Sequence, residues 1–170
     1  MIDRRLVLAL PLLPALGGCG WEPIYANRQT AAADAALQSI AVTPIAERIG
    51  QRLEMALRNS LNPNGAPAQP KYLLRVTMAT ATADLGIQSQ GLGTRGDVSV
   101  AATYQLSDAA TRAIVQTGSM HTSESFDIQA NGYSTVVAQD DAFVRAVEQI
   151  RGEIVTRLTL FLQKKAAAAS

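Results

Sequence analysis

The sequence is poor in the residues that build disulfides, metal sites and many active sites. Its 170 residues include one cysteine, one histidine, one tryptophan and three phenylalanines. A single cysteine excludes an intramolecular disulfide framework, and a single histidine without a cluster of cysteines or carboxylates offers no metal-ligand pattern. Basic and acidic residues are nearly balanced, at 15 and 14, so nothing indicates a nucleic-acid-binding surface. We therefore expect a core of valine, isoleucine and leucine below a mildly polar surface.

Residues 1–18 have the pattern of a lipoprotein signal peptide. Arg4 and Arg5 precede an apolar stretch, which is followed by the tetrapeptide LGGC that ends at Cys19. The stretch is too short and too interrupted by proline for a permanent membrane span. Small residues before a cysteine are what signal peptidase II cleaves, so we predict that Cys19 becomes the acylated N-terminus. The alternative is an ordinary cleaved signal peptide in which the cysteine is incidental.

Acylation of Cys19 predicts stable attachment to a membrane, because several acyl chains bury far more methylene groups than the single chain that binds only marginally. The next residue is Gly20 and not the aspartate that commonly retains lipoproteins in the inner membrane of Gram-negative bacteria. The sequence therefore predicts a lipid-anchored protein on the periplasmic face of the outer membrane. Residues 19–36 lack a consistent period and are predicted to form a lipidated tether.

Hydrophobic periodicity predicts four strands and two helices beyond the tether. Alternating apolar residues predict strands at Leu37–Thr43, Tyr72–Ala79, Val98–Leu106 and Ala113–Phe126. Helical spacing predicts helices over Glu47–Leu61 and Thr135–Lys164. The apolar stripe of the second helix comprises Phe143, Val147, Ile150, Ile154, Leu158 and Phe161.

The order strand, helix, three strands, helix predicts a two-layer α/β sandwich of the α+β class. The strand–helix–strand unit favours a crossover between parallel strands, and the next three strands favour an antiparallel meander. Each helix has one apolar face, so both helices should pack on one face of a four-stranded mixed sheet. We predict one domain over residues 37–165 and a flexible tail over residues 166–170, which are mostly alanine.

Two polar features are candidate binding surfaces. Four glycines predict a flexible loop over Asp84–Gly96. One face of the fourth strand is polar throughout, which predicts a sheet face that is solvated or held for a partner. The residues of this face are Thr117, Ser119, His121, Ser123 and Ser125.

The sequence contains no catalytic constellation. His121 stands alone on a polar strand face, where a histidine is usually an ordinary surface residue. Asp140 and Asp141 are consecutive helix residues that do not share a face, so we interpret them as early-turn acids that stabilise the helix N-terminus. The glycine-rich loop lacks the lysine and hydroxyl residue of a P-loop. The sequence thus predicts neither enzymatic activity nor a cofactor.

The sequence resembles the LptE family of lipopolysaccharide-assembly lipoproteins, especially its shorter alphaproteobacterial type. The similar motifs occur in the family's order and cover nearly the whole chain after the signal peptide. Departures are Ile24, where leucine is usual, and the glycine-rich loop. The similar segments are Cys19–Tyr25, Ile49–Leu61, Tyr72–Val76, Thr94–Leu106, Tyr133-Ser134, Asp141-Ala142, Arg145-Ala146 and Arg157-Leu158.

The resemblance implies a non-enzymatic protein that binds the outer-membrane β-barrel LptD. Members of this family sit in the barrel as a plug, help it to fold, and take part in placing lipopolysaccharide in the outer leaflet. On this interpretation, the loop and the polar strand face contact the barrel, with Gln90, Gln116 and His121 as candidate contact residues. A wet barrel lumen is lined by polar groups, which suits a polar sheet face.

Direct binding of lipopolysaccharide would bring its phosphates to cations of this chain. The candidates are Lys71, Arg75 and Arg95, with arginine better suited than lysine to bidentate phosphate contact. Two other functions are alternatives: an auxiliary lipoprotein of a lipid-trafficking ABC transport system, and a lipid-anchored hydrolase. The missing nucleophile–base pair disfavours the hydrolase.

Overall fold

The computed structural model describes residues 34–87 and 93–168. The predicted signal peptide, Cys19 and Gln90 lie outside these ranges. The four strands form one sheet in chain order, with the first two parallel and the other neighbours antiparallel. This confirms the α+β class and the mixed four-stranded sheet. The elements are β1 (Ile40–Val42), α1 (Arg48–Leu61), β2 (Tyr72–Ile87), β3 (Gly93–Asp108), β4 (Ile114–Asp127) and α2 (Gly132–Ala168).

Both helices pack on one face of the sheet, as predicted. Even-numbered side chains of β2, β3 and β4 point to this face and form a single core with α1 and α2. Leu74, Leu57 and Ile154 are fully buried there. Burying such a side chain completely contributes about 1.5–3 kcal/mol. The shared core therefore stabilises the two-layer arrangement and leaves the other face of the sheet to solvent.

The buried line of α2 differs from the predicted stripe at both ends. Phe143 and Phe161 are only partly buried. A step of four residues exceeds the 3.6 residues of one turn, so the buried line rotates around the helix and leaves these two phenylalanines at its margins. The buried residues at this spacing are Ala142, Ala146, Ile150, Ile154, Leu158 and Leu162.

The first strand is shorter than the predicted Leu37–Thr43. Residues 34–38 are helical, and only Ile40–Val42 pairs with β2. Ser39 ends the helical turn, since its hydroxyl donates to the carbonyl of Ala36 at 2.7 Å. Three residues assigned to the tether are therefore helical, and Ala36 packs against the core.

The predicted loop over Asp84–Gly96 is wrong for the described residues. β2 continues to Ile87 and β3 begins at Gly93, with Asp84 paired to Gly96. A Cβ at Gly96 would lie 2.3 Å from Cζ of Phe126. The glycine therefore admits a ring from β4 and does not mark a turn.

The last helix is longer than the predicted Thr135–Lys164. It begins at Gly132, where Asn131 caps it by accepting the backbone N–H of Tyr133 at 3.0 Å. It continues to Ala168, so residues 166–168 are helical and do not form the predicted tail.

Candidate functional site

The sheet face opposite the helices, here called the outer face, is covered by no element among residues 34–87 and 93–168. Between the two ends of the sheet most of its side chains are small and exposed. The polar face predicted for β4 belongs to it and is exposed along its length. The register places the outer side chains in cross-strand rows: Thr77–Thr103–Ser119, Ala79–Ala101–His121 and Ala81–Ser99–Ser123.

The candidate barrel contacts do not share one surface. His121 is exposed on the outer face. Gln116 lies on the helix face and is half-buried, and its Oε1 is buried without a hydrogen-bond partner. The neighbouring Tyr104 is almost completely buried, and this burial raises the pKa of its phenol. Of these two residues, His121 is therefore the one that a partner on the outer face would meet.

Ser123, His121 and Asp97 all lie on the outer face, but they do not have the geometry of a catalytic triad. Ser123 donates its hydroxyl proton directly to the carboxylate of Asp97, and Ser125 donates to the same carboxylate at 3.4 Å. No hydrogen bond joins either serine to His121 in the described part of the chain. A nucleophilic serine requires an adjacent base, and here its proton goes to the carboxylate. The described outer face thus presents hydroxyl, carboxylate and imidazole groups and no assembled Ser–His–Asp triad.

The three candidate cations for lipopolysaccharide lie at two different ends of the sheet. We call the end at Tyr72 and Asp108 the proximal end and the end at Ile87 and Asp127 the distal end. Arg75 pairs in register with Gln105, and Arg95 pairs with Leu85. The ten residue steps from Arg75 to Leu85 correspond to about 33 Å of strand. Lys71 precedes β2, so it belongs with Arg75 at the proximal end.

Asp140 joins the two helices. Its carboxylate accepts a hydrogen bond from Arg52 at 2.9 Å and another from Arg48 at 3.0 Å. The bond from Arg52 is the main cause that lowers the pKa of Asp140. Asp141 instead pairs with Arg145, so the two acids are not paired carboxylates. The predicted role at the helix N-terminus is wrong for both, because α2 begins eight residues before Asp140.

The start of α2 carries an exposed apolar surface at the distal end, which the sequence analysis missed. Tyr133 is 77% exposed and Val136 is 62% exposed, with Val137 and Val144 also accessible. A cavity of about 550 Å³ lies beside the three valines. Exposed apolar residues that cluster beside a cavity are candidates for an interaction site. The signal was present in the sequence, because Tyr133, Val136 and Val137 precede the predicted stripe at helical spacing.

Two further observations concern metals and membranes. Within the described ranges, no three His, Cys, Asp or Glu side chains come close enough together to hold a metal ion. In the same part of the chain, neither helix combines the length and the apolar run that a membrane crossing requires.

Comparison with known proteins identifies a family and a shared fold. The chain matches the family model described as LptE, lipopolysaccharide-assembly, over residues 37–158. A lipoprotein structure from Caulobacter crescentus superposes with a TM-score of 0.65 at 21% identity, covering 78% of this chain and 97% of the other. A minor lipoprotein from Acinetobacter baumannii superposes with a TM-score of 0.58 at 15% identity, covering 72% of this chain and 92% of the other. No curated protein matches the chain in sequence.

Proposed function

Because the chain belongs to the LptE lipopolysaccharide-assembly family, we propose that it is an outer-membrane lipoprotein that binds the β-barrel LptD as plug and assembly factor. In this role it takes part in inserting lipopolysaccharide into the outer leaflet, and it does so without enzymatic activity. The family match over residues 37–158 is the observation that carries the proposal. It extends through α1, the whole sheet and most of α2.

The outer face of the sheet supports the barrel contact. A plug must present polar groups to a polar lumen wall. The outer face offers hydroxyls and small side chains over three long strands, with His121 as its largest polar group on β4. Large side chains would hold a wall away from the sheet, whereas alanine, serine and threonine allow close approach. We therefore assign the barrel contact to the outer face, with His121 inside it.

The distal end supports a second contact. Its apolar residues on α2 lie at the same end of the sheet as Arg95, which is exposed. This end of the sheet thus carries apolar side chains in the helix layer and a cation on the outer face, a combination that suits an amphiphile that carries phosphates. Under this proposal the distal end faces lipopolysaccharide, while Lys71 and Arg75 lie too far away to share that contact.

Site-specific photo-crosslinking in cells tests the barrel contact. A photoreactive residue at His121 should give a product with a large outer-membrane barrel. The matched control is Met55, which is 61% exposed on α1 in the helix layer. Equal yields from both positions would remove the assignment to the outer face. Products with only periplasmic transporter subunits would replace the proposed function with that of an auxiliary transport lipoprotein.

Depletion tests the assembly role. A partner that binds only the folded barrel stabilises that fold, so its loss should lower the amount of correctly assembled LptD. The outer membrane should then become permeable to large hydrophobic antibiotics. Normal levels of assembled barrel after depletion would contradict the role.

A further inference from the structure

A small cationic cleft opens at the proximal end, where β1 ends beside β2. It has a volume of about 270 Å³, and Arg75 and Arg112 both line it. No carboxylate is among its lining residues. Neither arginine forms a salt bridge with a described residue, whereas Arg145 and Arg157 each do. The cleft therefore carries two positive charges without a matching acid.

The turn between β3 and β4 holds Arg112 in place. Its backbone has a φ of 61°, a left-handed conformation that is uncommon outside glycine and recurs at functional sites. The N–H of Arg112 donates to the carbonyl of Asp108 at 2.9 Å. The carboxylate of Asp108 accepts the N–H groups of Ala110 and Thr111, and the bond from Thr111 is the main cause that lowers its pKa. This nearby acid is thus engaged with the turn.

The remaining polar groups of the cleft favour an anionic ligand. The hydroxyl of Thr43 donates to the carbonyl of Leu74 at 3.1 Å, and the hydroxyl of Ser107 donates to Leu73 at 3.4 Å. Gln105 of β3 pairs in register with Arg75 and also lines the cleft. Its side-chain amide has no hydrogen bond within the described residues. The donors left for a ligand are therefore two guanidinium groups and one amide.

We propose that this cleft binds the phosphate group of a membrane lipid. Arginine presents a planar fork of N–H groups that matches the oxygens of a phosphate. The volume lies just below the range of about 300–1,000 Å³ that is usual for drug-sized ligands. It therefore fits a phosphate with a small attached alcohol or part of a sugar, and it excludes a whole lipid.

The position of the cleft fits a ligand from a membrane. Residues 34–39 lead into β1 at the proximal end, so under the proposed acylation of Cys19 the cleft lies at the end of the sheet where the anchored segment arrives. A glycerophospholipid and the sugar phosphate of lipopolysaccharide share the chemistry that the cleft recognises. The inference does not depend on barrel binding, because the free protein already contains the complete cleft.

Titration of the full mature chain in a non-ionic detergent tests the inference. The probes are glycerol 1-phosphate, glucosamine 1-phosphate and inorganic phosphate, and NMR follows the Nε–Hε signals of the arginines. Arg75→Gln and Arg112→Gln should each weaken binding about ten-fold, as the loss of one charge-assisted hydrogen bond implies. Arg145→Gln is the control, because it removes the same charge from α2, outside the residues that line the cleft. Binding should also weaken as the salt concentration rises.

Each outcome decides between ligand sources or against the site. Tighter binding of glycerol 1-phosphate than of glucosamine 1-phosphate would assign the cleft to a glycerophospholipid, and the reverse order would assign it to lipopolysaccharide. Equal binding of all three probes would support recognition of the phosphate group alone. The inference is overturned if no probe shifts the signals of Arg75 and Arg112. It is equally overturned if the double variant, with an unchanged unfolding midpoint, binds as well as Arg145→Gln does.

Discussion

Replacing Gly118 with alanine should destabilise the protein by about 1–2 kcal/mol. The new Cβ would lie 2.5 Å from Cε1 and 2.9 Å from Cζ of Tyr104. Tyr104 is only 1% exposed, so its ring cannot move aside without disturbing the core between the sheet and α2. Overpacking of this kind costs about 1–3 kcal/mol. A gain of about 0.4–1 kcal/mol from a less flexible unfolded chain offsets part of this cost.

Urea denaturation of matched variants measures this effect. Gly152→Ala is the control, because it makes the same substitution in the middle of α2, where nothing lies within 4 Å of the new Cβ. It should stabilise the protein by roughly 1 kcal/mol, since alanine is the better helix former. The two variants should therefore shift the urea midpoint in opposite directions, with unchanged slopes.

A double-mutant cycle identifies the atoms responsible. Tyr104→Leu removes the ring, so the cost of Gly118→Ala should fall below about 0.5 kcal/mol in that background. Two results would refute the reasoning. One is stabilisation by Gly118→Ala in the wild-type background, and the other is an undiminished cost after the ring is removed.

Three further predictions follow from the core, the helix pair and the N-terminus. Ile154→Ala should cost about 2–5 kcal/mol, because the side chain is fully buried; a loss below about 0.5 kcal/mol in urea denaturation would contradict its position. Asp140→Asn should destabilise the protein at pH 7. Because the folded-state pKa of Asp140 is lowered, its contribution is present above the unfolded value of about 3.9 and is lost as the pH falls through the folded value. The free energies of unfolding of the wild type and the variant should therefore converge in strong acid. A difference between them that grows as the pH falls would contradict the link between the lowered pKa of Asp140 and stability. Cys19→Ser should leave an unprocessed precursor, and mass spectrometry of a mature wild-type protein without acyl groups would oppose the lipidation.

The sequence predicted the layers of the fold well because the pattern of apolar residues reports burial directly. Val98, Val100 and Leu106 alternate on one face of β3, and all three are buried. The first and last residues of the strands and helices were less predictable, because they depend on contacts with residues far away in the sequence. Gly96 looks like a loop residue until the ring of Phe126 is placed above it. The margin positions of Phe143 and Phe161 depend on how α2 crosses the sheet.

The outer face and the cleft were predictable only where they depend on one strand, and not where they depend on contacts between separate elements. The exposed polar face around His121 followed from alternation along a single strand. The cleft at Arg75 did not, because its second cation comes from a turn whose conformation depends on hydrogen bonds to Asp108. For Gln116 the signal was present: the alternation that puts Thr117 and His121 on the polar face already places Gln116 on the opposite face, where the structure shows it half-buried.

The length of the hairpin has a consequence for how the protein relates to a bilayer. β2 has sixteen residues, which correspond to up to about 50 Å of strand. A bilayer with its headgroups is about 40–45 Å thick. If the sheet stands upright in the lumen of a membrane barrel, as the proposed function implies, it is long enough to reach from one membrane surface to the other, with the start of β1 near one surface and the exposed residues of α2 near the other. Removing two residues from each strand of the hairpin would shorten the sheet by about 7 Å and withdraw one end from its membrane surface without changing the residues at either end.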